Sequence, residues 1–529
     1  MVARGRSHSF FKTHWNAHTM LVHRILVAAA GLLAACHFVP QATAQVINMR
    51  RHERIVIVGG GPAGVHYATL LVKKGFTNIT ILEQSTEVGG KSKTVVDPLG
   101  IPHELGTCYA TSLYQPVFDL LKEYDPTNTL VPFVPFIKGH TYVNRDAMPI
   151  MDYKAYVAQL VHRLMGPVKE RELVREIERA FVSYSSIHTS IFGVYDYGLP
   201  PQPSDWSRID MSGLEFLRRN KLLALEGFFR FVFQQQGYGT LDTAPAFYML
   251  WWIHPDLLRK RKEADAKRQP WAFMLSKGYQ SLWKAMVAKY EGQIDVQLDT
   301  KVVQIARTLS PIYVTVRRSN VLDIVRADHL VMATDLSHMV TLPSDLLAND
   351  ISLTKDLTSS SFVVSLFESD ARKDESVSQW WPNRGVGELE GRLQLTRNSR
   401  LSLYNPLPAH GSQSDPAPTN WGVNATGRQT RVAYQFYNQR YPYSPTAVKT
   451  QLLADLESAS FTNAVVQKQI IHNYFPRYNL TQLQQGLPWK IWDSQGSIRT
   501  TWIGSSVSFE SVLDVVVYNN KLIDRVNIT

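Results

Sequence analysis

The chain has 529 residues, of which 44% are hydrophobic and 11% aromatic, and its formal net charge is +11. This length exceeds one typical core and the composition is that of a well-packed globular protein, so we expect two domains and exclude a disordered chain. A basic surface would attract an anionic substrate or make transient contact with an anionic membrane surface. No stretch resembles a nucleic-acid-binding module, and we expect neither a nucleic-acid partner nor a metal site.

Residues 1–44 have the features of a secretory signal. An apolar stretch at 25–35 follows the basic Arg24, and Ala42–Ala44 supplies a small-x-small cleavage site. Cleavage there predicts a protein of the secretory pathway, either secreted or in an endomembrane lumen. It removes four basic residues and no acidic one, which lowers the formal charge from +11 to about +7. A lipoprotein site at Cys36 and a retained anchor are alternatives, although the apolar run is short for a bilayer.

Cysteine chemistry is expected to be of little importance. Cys36 and Cys108 are the two cysteines, and cleavage would remove the first, so the mature chain would have no internal disulfide. Covalent attachment of a cofactor to Cys108 is an alternative that we do not favour. Sequons at Asn424 and Asn479 are candidate glycosylation sites and fit a secretory route.

The segment from Ile55 to Gly64 predicts a dinucleotide site. An apolar strand leads into Gly-Gly-Gly-Pro-Ala-Gly, in which Gly59 lets the chain turn sharply out of the strand. Gly61 leaves room for a pyrophosphate, and Gly64 lets the following helix pack close to the sheet. The helix N-terminus offers unpaired N–H groups and a positive dipole end to the phosphates.

A second strand ends at Glu83, 19 residues after Gly64, where a carboxylate meets the adenosine ribose hydroxyls of a dinucleotide. The turn Gly-Gly-Lys-Ser-Lys-Thr at 89–94 follows, and Gly90 and Lys91 lie within it. NAD-binding proteins do not need this turn, whereas flavoproteins of the glutathione-reductase and amine-oxidase type have one. An ordinary glycine turn is the alternative; we predict FAD as the cofactor.

The rest of the chain alternates between helical and β-strand patterns. Helical periodicity predicts helices at 117–124, 153–190, 214–233 and 244–258, with a break at the Pro-rich segment 199–203. Apolar runs predict strands at 141–143, 294–298, 302–305, 312–316 and 327–334, and a strand, a glycine turn and a helix over 501–523.

These patterns predict an α/β fold. A discontinuous, Rossmann-like FAD-binding domain of the glutathione-reductase and amine-oxidase type carries an inserted substrate domain of helices and mixed sheet. The predicted bounds are 45–135, 271–340 and 466–529 for the FAD-binding domain, and 136–270 and 341–465 for the substrate domain.

These segments resemble the flavin amine-oxidase superfamily and, more narrowly, the FAD-dependent polyenoic fatty acid isomerases of algae and bacteria. The segments that carry the resemblance are 55–92, 103–107, 211–217, 237–246, 271–282, 473–476 and 503–518. The stretch Gly-Tyr-Gly-Thr-Leu-Asp-Thr-Ala-Pro-Ala at 237–246 is the most particular to the isomerases.

The resemblance implies an enzyme that converts methylene-interrupted double bonds of free polyunsaturated fatty acids, such as arachidonate or eicosapentaenoate, into conjugated ones. A hydride from a bis-allylic carbon would pass to N5 of FAD and return at another carbon, without net redox change. No side chain then acts as a general acid or base, and His103 is interpreted as structural. The alternative is an FAD-dependent oxidase or desaturase of the same superfamily, and a flavin- or lipid-binding protein without turnover is a third reading.

The resemblance also assigns cofactor-binding residues. They are Gly59, Gly61, Gly64, Glu83, Gly90, Lys91, Gly278, Tyr279, Val302, Gly504 and Ser505. The backbone of Val302 would face adenine, Gly278 and Tyr279 would lie near the isoalloxazine, and the helix after Gly504 would point at the O2/N1 edge of the ring. Ser505 stands where the superfamily usually has an acidic residue, so the cofactor contact at this position must be made differently.

The substrate residues are the least specified. Phe247 and Trp251 are candidates for an acyl channel, although aromatic residues at helical spacing more often belong to a core. Lys138 and Arg145 are candidates for the carboxylate anchor. The basic residues within 259–268 would form either a cationic mouth or a solvated helix end, and we favour the helix end because Glu263 and Asp265 interrupt them.

Overall fold

The structure is a computed structural model. It describes residues 46–132, 139–142, 153–234, 236–267, 269–342, 344–345, 348–371, 377–380, 390–399, 422–438 and 444–529. The predicted signal at 1–44 and the predicted carboxylate anchors Lys138 and Arg145 lie outside the described residues.

The strands of the described residues are numbered in chain order. They are β1 (Ile47–Met49), β2 (Ile55–Val58), β3 (Ile79–Leu82), β4 (Thr94–Val96), β5 (Pro102–Glu104), β6 (Ala110–Thr111), β7 (Leu130–Pro132), β8 (Gly139–Tyr142), β9 (Ala272–Leu275), β10 (Ile294–Gln297), β11 (Lys301–Ala306), β12 (Ile312–Arg318), β13 (Val321–Ala327), β14 (His329–Met332), β15 (Thr358–Asp370), β16 (Val377–Trp380), β17 (Leu393–Arg397), β18 (Arg428–Tyr437), β19 (Val465–Arg477), β20 (Thr500–Trp502) and β21 (Val526–Ile528).

The α-helices of the described residues are numbered in the same way. They are α1 (Pro62–Lys74), α2 (Gln115–Tyr124), α3 (Tyr153–Met165), α4 (Glu170–Phe192), α5 (Gly213–Arg219), α6 (Glu226–Gln234), α7 (Ala246–Trp252), α8 (Pro255–Ala266), α9 (Tyr279–Lys289), α10 (Ala348–Thr354), α11 (Pro445–Ser458), α12 (Leu480–Gln484), α13 (Leu487–Asp493) and α14 (Val512–Ile523). Short 3₁₀ turns lie at Trp206–Arg208, Leu223–Leu225, Leu336–Thr341 and Ser497–Arg499.

A parallel sheet with the order β10-β3-β2-β14-β20 forms the centre of the FAD-binding domain. Its middle strands β2 and β14 are buried along their whole length, as is typical of parallel sheets covered by helices on both faces. Helix α1 packs against α14 and α9 beside this sheet. Because β20 comes from the end of the chain and the other four strands from before residue 333, the domain is discontinuous, and the predicted α/β fold is confirmed.

A second, mixed sheet has the order β19-β15-β18-β17-β16-β8. Its pairs are antiparallel except for β16 and β8, which are parallel. The structure differs from the predicted domain boundary at 466, because β19 pairs with β15 through most of its 13 residues and completes this sheet. Residues 466–477, assigned by sequence to the FAD-binding domain, therefore lie in the substrate sheet.

Three predicted helices are divided in the structure. The pattern over 214–233 corresponds to α5 and α6, with the 3₁₀ turn Leu223–Leu225 between them. The pattern over 153–190 corresponds to α3 and α4, which are separated at Gly166 and Pro167, where proline disfavours a continuous helix. The pattern over 244–258 corresponds to α7 and α8, with Pro255 beginning the second helix. Pro245 is the N-cap of α7 and not part of its first turn.

The described residues contain no helix that combines the length and the apolar character needed to span a bilayer. Within the same ranges, no group of three or more histidine, cysteine, aspartate or glutamate side chains has a spacing that suits a metal ion.

His329 makes the stability of the parallel sheet depend on pH. Its Nε2 forms a 2.8 Å hydrogen bond with Thr501 Oγ1 between β14 and β20, and burial lowers its pKa from 6.5 to about 4. The stabilising contribution of the neutral imidazole is therefore complete above pH 6.5 and is lost as the pH falls toward 4. By linkage this loss is about 2 kcal/mol at pH 5.

We expect the His329→Gln variant to lose about 2 kcal/mol less stability than the parent between pH 7.5 and pH 5. Denaturant unfolding at the two pH values measures the difference, and the exposed His52→Gln serves as the control. The buried His66 and His472, whose pKa values are also lowered, keep part of the acid sensitivity in every variant. Equal losses in parent and His329→Gln would contradict this account.

Candidate flavin site and the sheet that covers it

The turn between β2 and α1 has the geometry of a phosphate-binding loop. Gly59 has a φ of +112°, and a Cβ at this position would lie 2.9 Å from the carbonyl oxygen of Ala333. A Cβ at Gly64 would overlap the carbonyl oxygen of Gly59, so only glycine lets α1 lie directly against the turn. Helix α1 has no side-chain cap and no acidic residue in its first turn. Its N-terminal N–H groups are thus available to an anion such as the FAD pyrophosphate.

A second glycine turn faces the first. The Gly89 N–H donates a 2.9 Å hydrogen bond to the carbonyl oxygen of Gly60, which joins the two turns. Gly90 has a φ of +49°, and a Cβ there would lie 3.0 Å from the Cα of Gly61. The two turns therefore present bare backbone on one edge of the sheet, which is the surface that a diphosphate can approach closely.

Glu83 is held in place at the end of β3. Its Oε2 accepts a 2.7 Å hydrogen bond from the Gly60 N–H, and its Oε1 accepts from the N–H and hydroxyl of Ser85 at 2.8 and 2.7 Å. A carboxylate has about four acceptor positions, so capacity remains for ribose hydroxyls. The N–H of Thr300 donates to the Glu83 carbonyl oxygen at 2.8 Å, and Val302 on β11 lies two residues further along. The structure thus brings Val302 beside the predicted ribose contact.

Lys91 and the last flavin motif meet through a carboxylate that the sequence analysis missed. Lys91 Nζ donates to both Glu510 oxygens at 2.7 and 2.8 Å and lies 3.4 Å from the Ser505 hydroxyl. Glu510 also accepts a 2.8 Å hydrogen bond from the Phe475 N–H. A carboxylate thus lies in the same loop as Ser505, immediately before α14. Gly504 lies against α1, since a Cβ there would be 3.6 Å from the Cβ of Ala63.

Glu104 connects the Gly278–Tyr279 turn to the earlier flavin segments. Its Oε1 accepts a 2.7 Å hydrogen bond from the Tyr279 N–H, and its Oε2 accepts from the Thr94 hydroxyl at 2.8 Å. Burial raises the pKa of Glu104 to about 7. The Tyr279 hydroxyl is buried without a hydrogen-bond partner. A polar group of a bound cofactor or substrate would satisfy this hydroxyl, so the residues present fit FAD beside the turn.

His103 precedes Glu104 in the chain and Cys108 follows it. His103 Nε2 is 2.9 Å from Asp97 Oδ2 across the β4–β5 hairpin, and burial lowers the His103 pKa, which fits a structural histidine. Exclusion of solvent raises the pKa of Cys108 to about 11, so its thiol stays protonated at neutral pH. A protonated thiol is a weak nucleophile, which argues against covalent attachment of flavin.

The mixed sheet covers this region with one face. On that face Arg397 is 2% exposed, and its Nη2 donates to the Glu104 carbonyl oxygen at 3.1 Å and to the Tyr434 hydroxyl at 2.9 Å. Its Nε has no hydrogen-bond partner among the described residues. The sequence analysis missed Arg397 because β17 carries no motif. A basic residue that ends an otherwise uncharged strand was the available signal.

Four rings form a continuous aromatic row across the same face. The ring centroids of Tyr434 and Phe362 are 5.5 Å apart, those of Phe362 and Tyr474 5.0 Å, and those of Tyr474 and Tyr238 6.0 Å. Lys91 Nζ lies 5.4 Å from the Tyr474 ring centroid, which places this end of the row beside the flavin motifs.

The two predicted acyl-channel residues differ in position. The Trp251 ring lies 5.3 Å from Phe509, its Nε1 donates to Asp514 at 3.2 Å, and it lines a small cavity beside residues 505–509. Phe247 lies in the helical core, where it packs against Phe192, Trp206 and Trp489. Trp251 is thus next to the last flavin motif, whereas Phe247 is not in that cavity lining.

Basic residues of α8 form ion pairs with acidic residues of the same helix. Arg259 pairs with Asp256 and Glu263 at 2.9 and 2.6 Å, and Lys260 lies 3.5 Å from Glu263. This pairing supports a solvated helix end over a cationic mouth.

The two sequons lie in turns. Asn424 has its amide tied to Glu368 and to the N–H groups of Thr426 and Arg428. Asn479 is exposed and caps α12 through the Gln482 N–H. Glycosylation of both stays a prediction.

Several known proteins are similar to this chain. The polyenoic fatty acid isomerase of Ptilota filicina is 24% identical over 492 residues, which are 87% of this chain and 92% of that protein. Among solved structures, the CLA-producing fatty acid isomerase from P. acnes has a TM-score of 0.68 at 18% identity, covering 90% of this chain and 99% of that one. A putrescine oxidase has a TM-score of 0.59 at 15% identity, covering 90% and 98%. These structural similarities show the fold, and the predicted resemblance is confirmed.

Residues 62–415 match the family described as flavin containing amine oxidoreductase. The match spans more than half of the chain and includes the second glycine turn with Gly89 and Gly90. The prediction of FAD as cofactor is confirmed, and the chain belongs to the flavin-containing amine oxidoreductase family.

Proposed function

We propose that this protein isomerises free polyunsaturated fatty acids, such as arachidonate or eicosapentaenoate, converting methylene-interrupted double bonds into conjugated ones without net redox change. The observation that carries the proposal is the 24% identity over 92% of the polyenoic fatty acid isomerase of Ptilota filicina. FAD, when bound, would supply the hydride acceptor that this chemistry needs.

The chain's own residues hold the cofactor and exclude water. Gly61 and Gly90 leave space for the diphosphate, and Glu83 supplies acceptors for the ribose. On the side of the last flavin motif, Tyr238 and Phe509 pack at 5.0 Å and Phe475 and Phe509 at 5.3 Å. Such packing keeps water from a reactive carbon centre.

The protonation states near the site support hydride transfer over proton abstraction. Burial lowers the pKa of His472 to about 4, and its Nε2 is engaged with the Leu105 carbonyl oxygen at 2.7 Å. Glu104 has both carboxylate oxygens in hydrogen bonds. These hydrogen bonds give both residues a structural role, and a redox-neutral hydride shift needs no proton acceptor.

The activity test is the reaction of purified, FAD-loaded protein with arachidonate, in air and without oxygen. We expect ultraviolet absorbance from conjugated dienes or trienes to rise at equal rates in both conditions, with no oxygen uptake. A putrescine oxidase shares the fold, and so an oxidase or desaturase is the second candidate. Turnover that stops without oxygen would favour that candidate and reject the isomerase.

Two glycine-to-alanine variants test whether the second glycine turn lines the diphosphate of FAD. Gly90 and Gly292 both have positive φ values, +49° and +84°, but a Cβ at Gly90 would press on Gly61 whereas one at Gly292 meets nothing within 4 Å. Alanine at either position costs about 1 kcal/mol in backbone strain. We expect Gly90→Ala to lower FAD affinity at least about tenfold and Gly292→Ala to leave it unchanged.

Titration of FAD into apoprotein, followed by flavin fluorescence, measures both affinities, and thermal melts verify that both variants are folded. Equal FAD affinity in the two variants would mean that the second glycine turn does not line the cofactor.

A further inference from the structure

Arg397 is a buried cation, and the part of the chain that the structure describes gives it no counter-ion. Its Nη2 donates to the Glu104 carbonyl oxygen and to the Tyr434 hydroxyl. Its Nη1 lies 3.9 Å from Met274 Sδ, and its Nε donates to no group of the described residues. No carboxylate of the described residues lies within ion-pair distance of it. Burying an unpaired charge is costly, and native proteins offset such a cost with an anion.

The acidic groups that face Arg397 do not neutralise it. The Glu104 carboxylate is directed to Thr94 and Tyr279, and burial raises its pKa to about 7, which leaves it partly protonated at neutral pH. The Cys108 thiol is protonated, since its pKa is raised to about 11. Arg397 itself stays charged, because the pKa of a guanidinium is far above neutral.

The aromatic row connects Arg397 to the flavin motifs. It starts at Tyr434, whose hydroxyl accepts from Arg397, and reaches Tyr474 under the Lys91 ammonium. The far ring, Tyr238, donates from its hydroxyl to the Glu510 carbonyl oxygen at 3.1 Å. Each step between neighbouring rings is 5.0–6.0 Å, which is contact distance for aromatic pairs. An apolar chain lying on this row would have a cation at one end and the flavin motifs at the other.

We propose that Arg397 binds the carboxylate of the fatty acid and that the acyl chain lies along the aromatic row. The proposal rests on the proposed function and names the anchor that it needs. The Nε of the guanidinium has no partner among the described residues and can donate to one oxygen of a carboxylate. Such charge-assisted hydrogen bonds are among the stronger ones in proteins. The competing account is that Arg397 only fastens β17 to β5 through the Glu104 carbonyl oxygen.

The test separates anion recognition from structural support by changing the charge of both protein and ligand. Calorimetry measures the binding of a saturated fatty acid, below its micelle concentration, and of its methyl ester to the FAD-loaded protein. We expect Arg397→Met to weaken binding of the acid about 30-fold or more and to leave the affinity for the ester within about twofold of the parent. Arg397→Lys keeps the charge and should recover part of the loss.

Arg392→Met is the matched control, because Arg392 immediately precedes the same strand and pairs with Asp455 at 3.1 Å. We expect this variant to lose stability yet to bind acid and ester as the parent does. Equal loss of acid and ester binding in Arg397→Met would assign Arg397 a structural role only. Unchanged binding of the acid would also overturn the proposal.

The outcome is independent of the activity test. Acid binding that depends on Arg397, in a protein that conjugates no polyunsaturated fatty acid, would retain the anchor and reject the isomerase. If the protein conjugates arachidonate and Arg397→Met binds the acid as tightly as the parent does, the isomerase proposal stands and the role of Arg397 as carboxylate anchor is rejected. With turnover, the apparent KM for arachidonate should rise in Arg397→Met, while that for its methyl ester should stay near the parent value.

Discussion

The structure of the site depends on the buried residue Glu104, which joins three distant parts of the chain. Its side chain accepts from Thr94, just after the glycine turn, and from the Tyr279 N–H at the start of α9. Its carbonyl oxygen accepts from Arg397 on the mixed sheet. One residue thus fixes the FAD-binding segments relative to the sheet that covers them. Because Glu104 is 2% exposed, these hydrogen bonds form where water cannot replace them.

Features that follow from local sequence were predictable. A strand, a glycine turn and a helix at 55–74 need only backbone geometry, since the positive φ of Gly59 and the close approach at Gly64 involve neighbours in the chain. The ribose acid Glu83 follows from the length of one βαβ unit, and the structure places it against Gly60 as expected. The overall α/β fold was predictable for the same reason.

Features that depend on tertiary pairing were not predictable. Glu510 lies in the loop before α14, and this loop brings its carboxylate to Lys91 beside Ser505. Arg397 belongs to the site through the pairing of β17 with β18, which no motif records. The predicted boundary at 466 differs from the structure because strand pairing along β19, and not composition, decides to which sheet the strand belongs. Side-chain patterns give the period of a strand but not its partner.

The distribution of charge in the site would keep two anionic groups, the diphosphate of FAD and a fatty carboxylate, at separate positions. The cradle at α1 meets a diphosphate with backbone N–H groups and a helix N-terminus, and its nearest ammonium, Lys91, is already paired with Glu510. Arg397, across the aromatic row, is the opposite case: in the part of the chain that the structure describes, its Nε has no hydrogen-bond partner and its guanidinium has no carboxylate partner. A fatty carboxylate placed at the cradle would compete with the diphosphate of FAD, whereas at Arg397 it would relieve an unpaired buried charge. If a fatty acid binds in this way, the apolar rings between the two positions would favour one direction of the acyl chain, and that direction would select which double bonds reach the flavin.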